Sequence, residues 1–203
     1  FVFVPSVNSE RFSMSRMEKG GSLYSKKILI EHRSADILPD WLLFLRGVVD
    51  SEDLPLSISR EKAQDSRLVA KMRDVLSKKF LRHLKDMKKN DLDKYLKFCD
   101  EFDIFLKEGA LSDFANQEAL LKLLTFESSK EEAGKKIFMD DYVARCPPGQ
   151  QEIYYLFAPT RELAEQSPYL EAFKKKEVEV LFCFNSVDEL VLGQVPNFNG
   201  KKF

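Results

Sequence analysis

The chain predicts an α/β (α+β) fold arranged as three consecutive blocks. Short β-prone apolar runs occur near both ends, FVFV and LYSKKILI in the first part and IYYLFA and VEVLFCF in the last. Between them run two long segments whose apolar residues recur at three- and four-residue spacing, the signature of amphipathic helices. In the last third, strand, helix and strand signals follow one another as a βαβ unit, whose apolar strands are expected to be parallel with a right-handed crossover.

Residues 1–4 form a β-prone run stopped by Pro5, and the Ser-rich stretch 6–22, ending after Gly20-Gly21, reads as a long mobile loop. Residues 23–30 alternate well enough for one further strand. Leu38-Pro39-Asp40 then leads into a short helix over 41–45, with Gly47 as its stop and Trp41 as a core residue. From Ser66 the stripe Val69, Met72, Leu76, Phe80, Leu84 and Met87 predicts a long helix. Lys71, Lys78, Lys79, Arg82 and Lys85 fall mostly off it, giving a solvated basic face whose alternative reading is a phosphate-binding surface.

Asn90 is placed to cap a second helix with the stripe Leu92, Tyr95, Leu96, Cys99, Phe102 and Leu106, ending or kinking at Gly109. A short helix over 118–124 and a polar surface loop over 127–136 follow, then the helical run MDDYVARC. Residues 153–158 and 178–184 are the two buried strands. Thr160 and Ser167 are the N-caps between them, the latter backed by Pro168 at the first helical position.

Composition removes several functions. With 203 residues and 44% hydrophobic content the chain can bury a substantial core. Its 32 basic residues are balanced by 33 acidic ones, so no global field draws nucleic acid, which is not expected as a partner. No apolar stretch reaches the ~20 residues that span a bilayer. Cys99, Cys146 and Cys183 lack any CxxC spacing and read as reduced structural thiols. His32 and His83 have no partners at metal-ligand spacing, and neither a G-x-G-x-x-G nor a P-loop run occurs. Adjacent carboxylates such as Asp140-Asp141 would point about 100° apart on a helix and cannot converge as an acid/base pair. The chain starts at Phe1 without an initiator Met and is expected to be a fragment of a longer protein.

One residue stands apart by its setting. Arg60 lies in GVVDSEDLPLSISREKAQDS (47–66), where Pro55 holds its neighbour extended and the Ser-rich run suits a held loop ahead of the long helix. A permanently charged planar guanidinium presented on such a loop is matched to a phosphate group, and the alternative reading is a surface or salt-bridge arginine.

The run Asp53, Leu54, Pro55, Leu56, Ser59, Arg60, Glu61 and Gln64 closely resembles the catalytic loop in the middle domain of the ninety-kilodalton heat-shock chaperones. Further likeness to the mitochondrial, tumour necrosis factor receptor-associated branch and to the bacterial high-temperature protein G branch runs through ILPDWLLFLRGVVDSEDLPL, ANQEALLKLL and SPYLEAFKKKEVEVLFCF. Ser57 stands where the family usually has Asn, and Lys62-Ala63 replaces a larger apolar pair.

This resemblance implies a larger α/β/α sandwich over 1–89 with the catalytic loop at 53–64, connecting helices over 90–115, and a smaller α/β/α unit over 116–203. It implies an ATP-dependent chaperone in which Arg60 reaches the γ-phosphate of ATP, with Gln64 one helical turn on as a second polar contact. ATP, with Mg, would be bound mainly by an N-terminal domain outside this chain, and a C-terminal domain would form the homodimer. The segment by itself is then inactive, and a mitochondrial location follows from the resemblance alone. The alternative reading is a non-catalytic client- or co-chaperone-binding module, in which Phe12, Met14 and Met17 either meet an unfolded client protein or fold back into the core.

Overall fold

The computed structural model describes residues 1–12, 18, 20–52 and 66–203, with the side chains of residues 11, 12 and 66 outside the description. The chain divides into two compact units, Phe1–Phe102 and Asp103–Phe203, and each is described by itself. Helices and two mixed sheets give the α/β (α+β) class that the sequence predicts.

In the first unit a four-stranded sheet has the order β1-β4-β2-β3, formed by Val2–Phe3, Arg46–Asp50, Gly20–Ser25 and Ile28–Glu31 respectively. β4 runs parallel to β2 and antiparallel to β1, while β2 and β3 form an antiparallel hairpin. Residues 23–30 are therefore two strands, not one. Lys26 and Lys27 turn the chain with φ of 47° and 68°, left-handed values that two lysines do not advertise. The turn is held from outside, because the Asp50 carboxylate accepts from the Lys27 amide at 3.2 Å.

Between β3 and β4 lies the densest buried stretch of the unit. Ile37, Leu38, Trp41, Leu42, Phe44 and Leu45 are all at most 2% exposed. The expected helix over 41–45 is only a short 3-10 turn, Asp40–Leu42, after which the chain extends into β4. Gly47 is thus a strand residue and not a helix stop. It has φ 142°, and a Cβ there would collide with the Phe1 carbonyl and lie 2.8 Å from Val2 Cα. The Ser-rich stretch is also less loop-like than expected, since Ser9–Phe12 form a 3-10 turn and Gly20–Ser25 a strand. Asn8, 4% exposed, anchors it by donating from Nδ2 to the Glu101 carbonyl at 3.0 Å.

The long helix is α1, Ser66–Asn90. Of the predicted stripe Val69 and Leu84 are buried and the others half-buried, Leu81 is buried outside it, and Lys71, Lys78, Lys79, Arg82 and Lys85 are exposed as expected. α2 spans Leu92–Ser112, and its cap is Asp91 rather than Asn90: Asp91 Oδ1 accepts from the Lys94 amide at 3.1 Å, while Asn90 closes α1. Leu92 is exposed, and Gly109 lies inside α2, three residues before its end. Phe44 stacks on Phe102 at 4.8 Å and meets Phe80 edge-on at 5.9 Å, joining the buried stretch to both helices.

The second unit contains a sheet of order β6-β5-β8-β7, with β5 Thr125–Ser128, β6 Ile137–Phe138, β7 Tyr155–Phe157 and β8 Leu181–Cys183. β7 and β8 are parallel, joined through α5 (Arg161–Glu165) and α6 (Pro168–Lys175), which is the predicted βαβ element. The Thr160 hydroxyl caps α5 by accepting from the Leu163 amide, whereas the Ser167 side chain makes no capping bond and Pro168 alone starts α6. The start of the expected polar loop, Glu127-Ser128, is instead strand, paired with β8. α3 (Gln117–Leu121) and α4 (Met139–Arg145) match the short helices expected there. α7, Ser186–Gln194, was not expected, although Asn185 and Asp188 form a capping box at its start.

Lys107, 3% exposed, holds this unit together electrostatically. Its ammonium lies 2.5 Å from Asp103 Oδ2 and 2.5 Å from Asp188 Oδ1, tying α2 to the head of α7. Burial alone would lower its pKa, and the two carboxylates outweigh burial and raise it. Stability from the charged lysine is therefore complete below the ordinary lysine range and lost as pH rises through the raised value. Lys107→Met should lower stability by about 3–5 kcal/mol in urea unfolding, because it leaves Asp188 buried without its counter-ion.

Candidate functional site

Arg60 and Gln64 lie outside the described residues, as do Met14, Met17 and the Phe12 side chain. What is described is the frame from which residues 53–65 depart and to which they return. The segment leaves the sheet after β4, an interior strand flanked by β1 and β2, and returns at Ser66, the first residue of α1. Loops at strand ends leading into a helix suit functional groups, because rigid elements fix both ends.

The departing end is well held. The Ser51 amide donates to the Tyr24 carbonyl at 3.1 Å, and Asp50 is engaged by the Lys27 amide. On the other side, the Phe1 nitrogen donates to the Val48 carbonyl at 2.8 Å, and the Val48 amide donates to the Phe1 carbonyl at 2.8 Å. Near the start of β4, Arg46 donates to the Leu43 carbonyl at 2.8 Å and the Glu18 carbonyl at 3.1 Å, while Glu18 pairs with Arg33. Burial, then the nearby Arg33 charge, lowers the Arg46 pKa. The returning end is held by α1, where Arg73 Nε donates to the Asp36 carbonyl at 2.7 Å.

Other chemistry is sparse among the described residues. No group of three His, Cys, Asp or Glu side chains could hold a metal, and no helix is long and apolar enough to cross a membrane. His32 and His83 are exposed. All three cysteines are free, with Cys99 and Cys183 buried. Burial and then Asp188 push the Cys183 thiol well above its ordinary pKa, so it is an inert thiol and not a nucleophile. A cavity of about 330 Å³ in the second unit is lined by Gln117, Glu118, Leu121, Asn197 and Phe198 among others, with no Lys or Arg to meet a phosphate.

A buried polar cluster in the second unit escaped the reading of the sequence. Glu179, 5% exposed, accepts from Ser128 Oγ and from Arg145, each at 2.6 Å. The Tyr142 hydroxyl donates to the Glu179 carbonyl at 2.8 Å and accepts from the Tyr154 amide at 3.0 Å; burial pushes its pKa up to about 12. Such a hydroxyl is a structural bridge and not a proton donor near neutrality. Its partners are up to 37 residues away, and no local spacing announces them.

A family model described as Hsp90 protein matches residues 1–203, the whole chain. The chain belongs to the Hsp90 family. Among Hsp90 relatives, it is 48% identical over 201 residues to "Chaperone protein HtpG" of Desulfitobacterium hafniense, covering 99% of this chain and 33% of that protein. It is 46% identical to "Heat shock protein 75 kDa, mitochondrial" of Rattus norvegicus and 44% identical to "TNF receptor-associated protein 1 homolog, mitochondrial" of Dictyostelium discoideum. Both alignments cover 98% of this chain and 29% of the relative. The chain thus spans about a third of the length of these curated Hsp90 relatives. Bacterial and mitochondrial proteins both stand among them, in keeping with the mixed likeness of the sequence.

The frame around β4 makes a first test. Gly47→Ala should destabilise the first unit by about 1–3 kcal/mol, from its φ and the clash with the first strand. Thermal unfolding together with hydrogen exchange at Val48 would measure this, with exchange expected to rise.

Proposed function

We propose that this chain is the middle segment of an ATP-dependent molecular chaperone, and that Arg60 supplies its guanidinium to the γ-phosphate of ATP held by an N-terminal domain outside the chain. The observation that carries this reading is DLPLSISRE with Gln64 beyond it, joining an interior strand to a 25-residue helix in a chain of the Hsp90 family. A segment whose flanking strand and helix are both held can present a charged fork to a separate nucleotide-bearing body. There the fork would stabilise charge developing on the transferred phosphoryl group. Gln64 would assist from the next turn, Mg would accompany the nucleotide, and a C-terminal domain would supply the homodimer contact. On this reading the location is mitochondrial, as in the names of two relatives, or otherwise cytoplasmic.

In the full-length protein, Arg60→Ala should lower steady-state ATP hydrolysis by one to several factors of ~10 with ATP affinity retained. Unchanged turnover would reject the assignment. The 203-residue chain alone should not hydrolyse ATP.

A second role, contact with unfolded client protein, rests on Phe12, Met14 and Met17 standing among polar residues. Replacing Phe12 and Met14 with Ser should weaken retention of an unfolded client several-fold (roughly 1–2 kcal/mol of apolar contact) while sparing turnover. Equal losses of both activities from this variant and from Arg60→Ala would dissolve the division of roles.

A further inference from the structure

α1 carries nine Lys and Arg residues against two Asp, in a chain whose formal net charge is −1. Their placement is more informative than their number. Positions 67, 71, 74, 78, 82, 85 and 89 step by three and four residues, so at 100° per residue they share an arc of about 80°. Six of the seven are cationic: Arg67, Lys71, Lys78, Arg82, Lys85 and Lys89. All are exposed, on the side away from buried Val69 and Leu84, with buried Leu81 bordering one edge of the arc. Lys78 pairs with Asp74 at 2.8 Å, and among the described residues no ion pair engages the other five cations. At 1.5 Å per residue the row is about 33 Å long. α1 contains no Pro or Gly to kink it.

We propose that this row is a docking edge for an anionic phospholipid bilayer surface. A cylinder meets a plane along a line, and the cations lie on such a line, so all six can reach one layer of headgroups together. Other polyanions fit less well. A partner helix packs at a crossing angle and would meet only part of a row this long. On duplex DNA each phosphate strand winds once around the axis in about 34 Å, so a straight row meets few phosphates. The row carries no Phe, Tyr or Trp on which single-stranded bases could stack. Since the apolar side of α1 faces the core, contact would be peripheral, without insertion, and reversible by salt.

The test is flotation of the 203-residue chain with vesicles of phosphatidylcholine alone or with roughly one-third phosphatidylserine, at about 0.1 M and about 0.5 M salt. Binding to the anionic vesicles at low salt only is expected. Substituting Lys78→Gln, Arg82→Gln and Lys85→Gln together should weaken it by about a hundredfold, from the usual contribution of a cation near such a surface. The charge-matched control, Lys174→Gln with Lys175→Gln and Lys176→Gln on the exposed α6 end, should change it by less than about threefold. Circular dichroism of both variants should match the parent. No binding to anionic vesicles, equal loss in the control, or tighter binding of duplex DNA or a Glu-rich peptide to the row would each overturn the proposal.

Discussion

The contact of Phe44 with Phe80 and Phe102 is the constraint on which the first unit depends. Phe44 sits two residues before β4, Phe80 is on α1 and Phe102 on α2, so one cluster fixes the strand entering the arginine-bearing segment and the helix leaving it. Aromatic pairs of this kind contribute about 0.5–1.5 kcal/mol each beyond the area they bury. Phe98 stacks on Phe102 at 5.5 Å and meets Phe80 at 6.3 Å, which closes the cluster into a network. The two described flanks of residues 53–65 therefore share one packed core.

The second unit is organised by buried charge. Lys107 joins α2 to α7, while Arg161 donates to Glu127, Glu165 and the Glu131 carbonyl and lies 4.7 Å over the Phe182 ring. These groups demand accurate geometry, because a buried charge without its partner costs several kcal/mol. They set the placement of α5 and α7 against the sheet more sharply than apolar packing alone would. The unit's apolar cluster of Ala164, Leu170, Val180 and Phe182 supplies mass; the ion pairs supply register.

Elements with strong periodic signals were legible. α1 and the paired strands β7 and β8 declared themselves by apolar spacing, and Thr160 declared a cap through a bond to a residue three positions on. Structure departs from local pattern where a distant group overrides a local preference. Lys26-Lys27 is a turn because Asp50 takes the Lys27 amide from 23 residues away. Gly47 is a strand residue because Phe1 and Val2 lie against it. Asp91, not Asn90, caps α2, a one-residue choice that composition cannot make. The Asn185/Asp188 box at the start of α7 is a local signal carried by residues three positions apart.

By itself the sequence determined the family, through the 53–64 run and its whole-chain likeness, and the α/β class, through periodicities of two and 3.6 residues. Those depend on neighbours in the chain and on residue identity. Tertiary structure alone decided the strand order β1-β4-β2-β3, the burial of Lys107 between two carboxylates, and the convergence of Tyr142, Ser128 and Arg145 on Glu179. These pairings join residues up to 81 positions apart. Their energy arises only when packing removes water from both partners at once, a condition that no local stretch of sequence encodes.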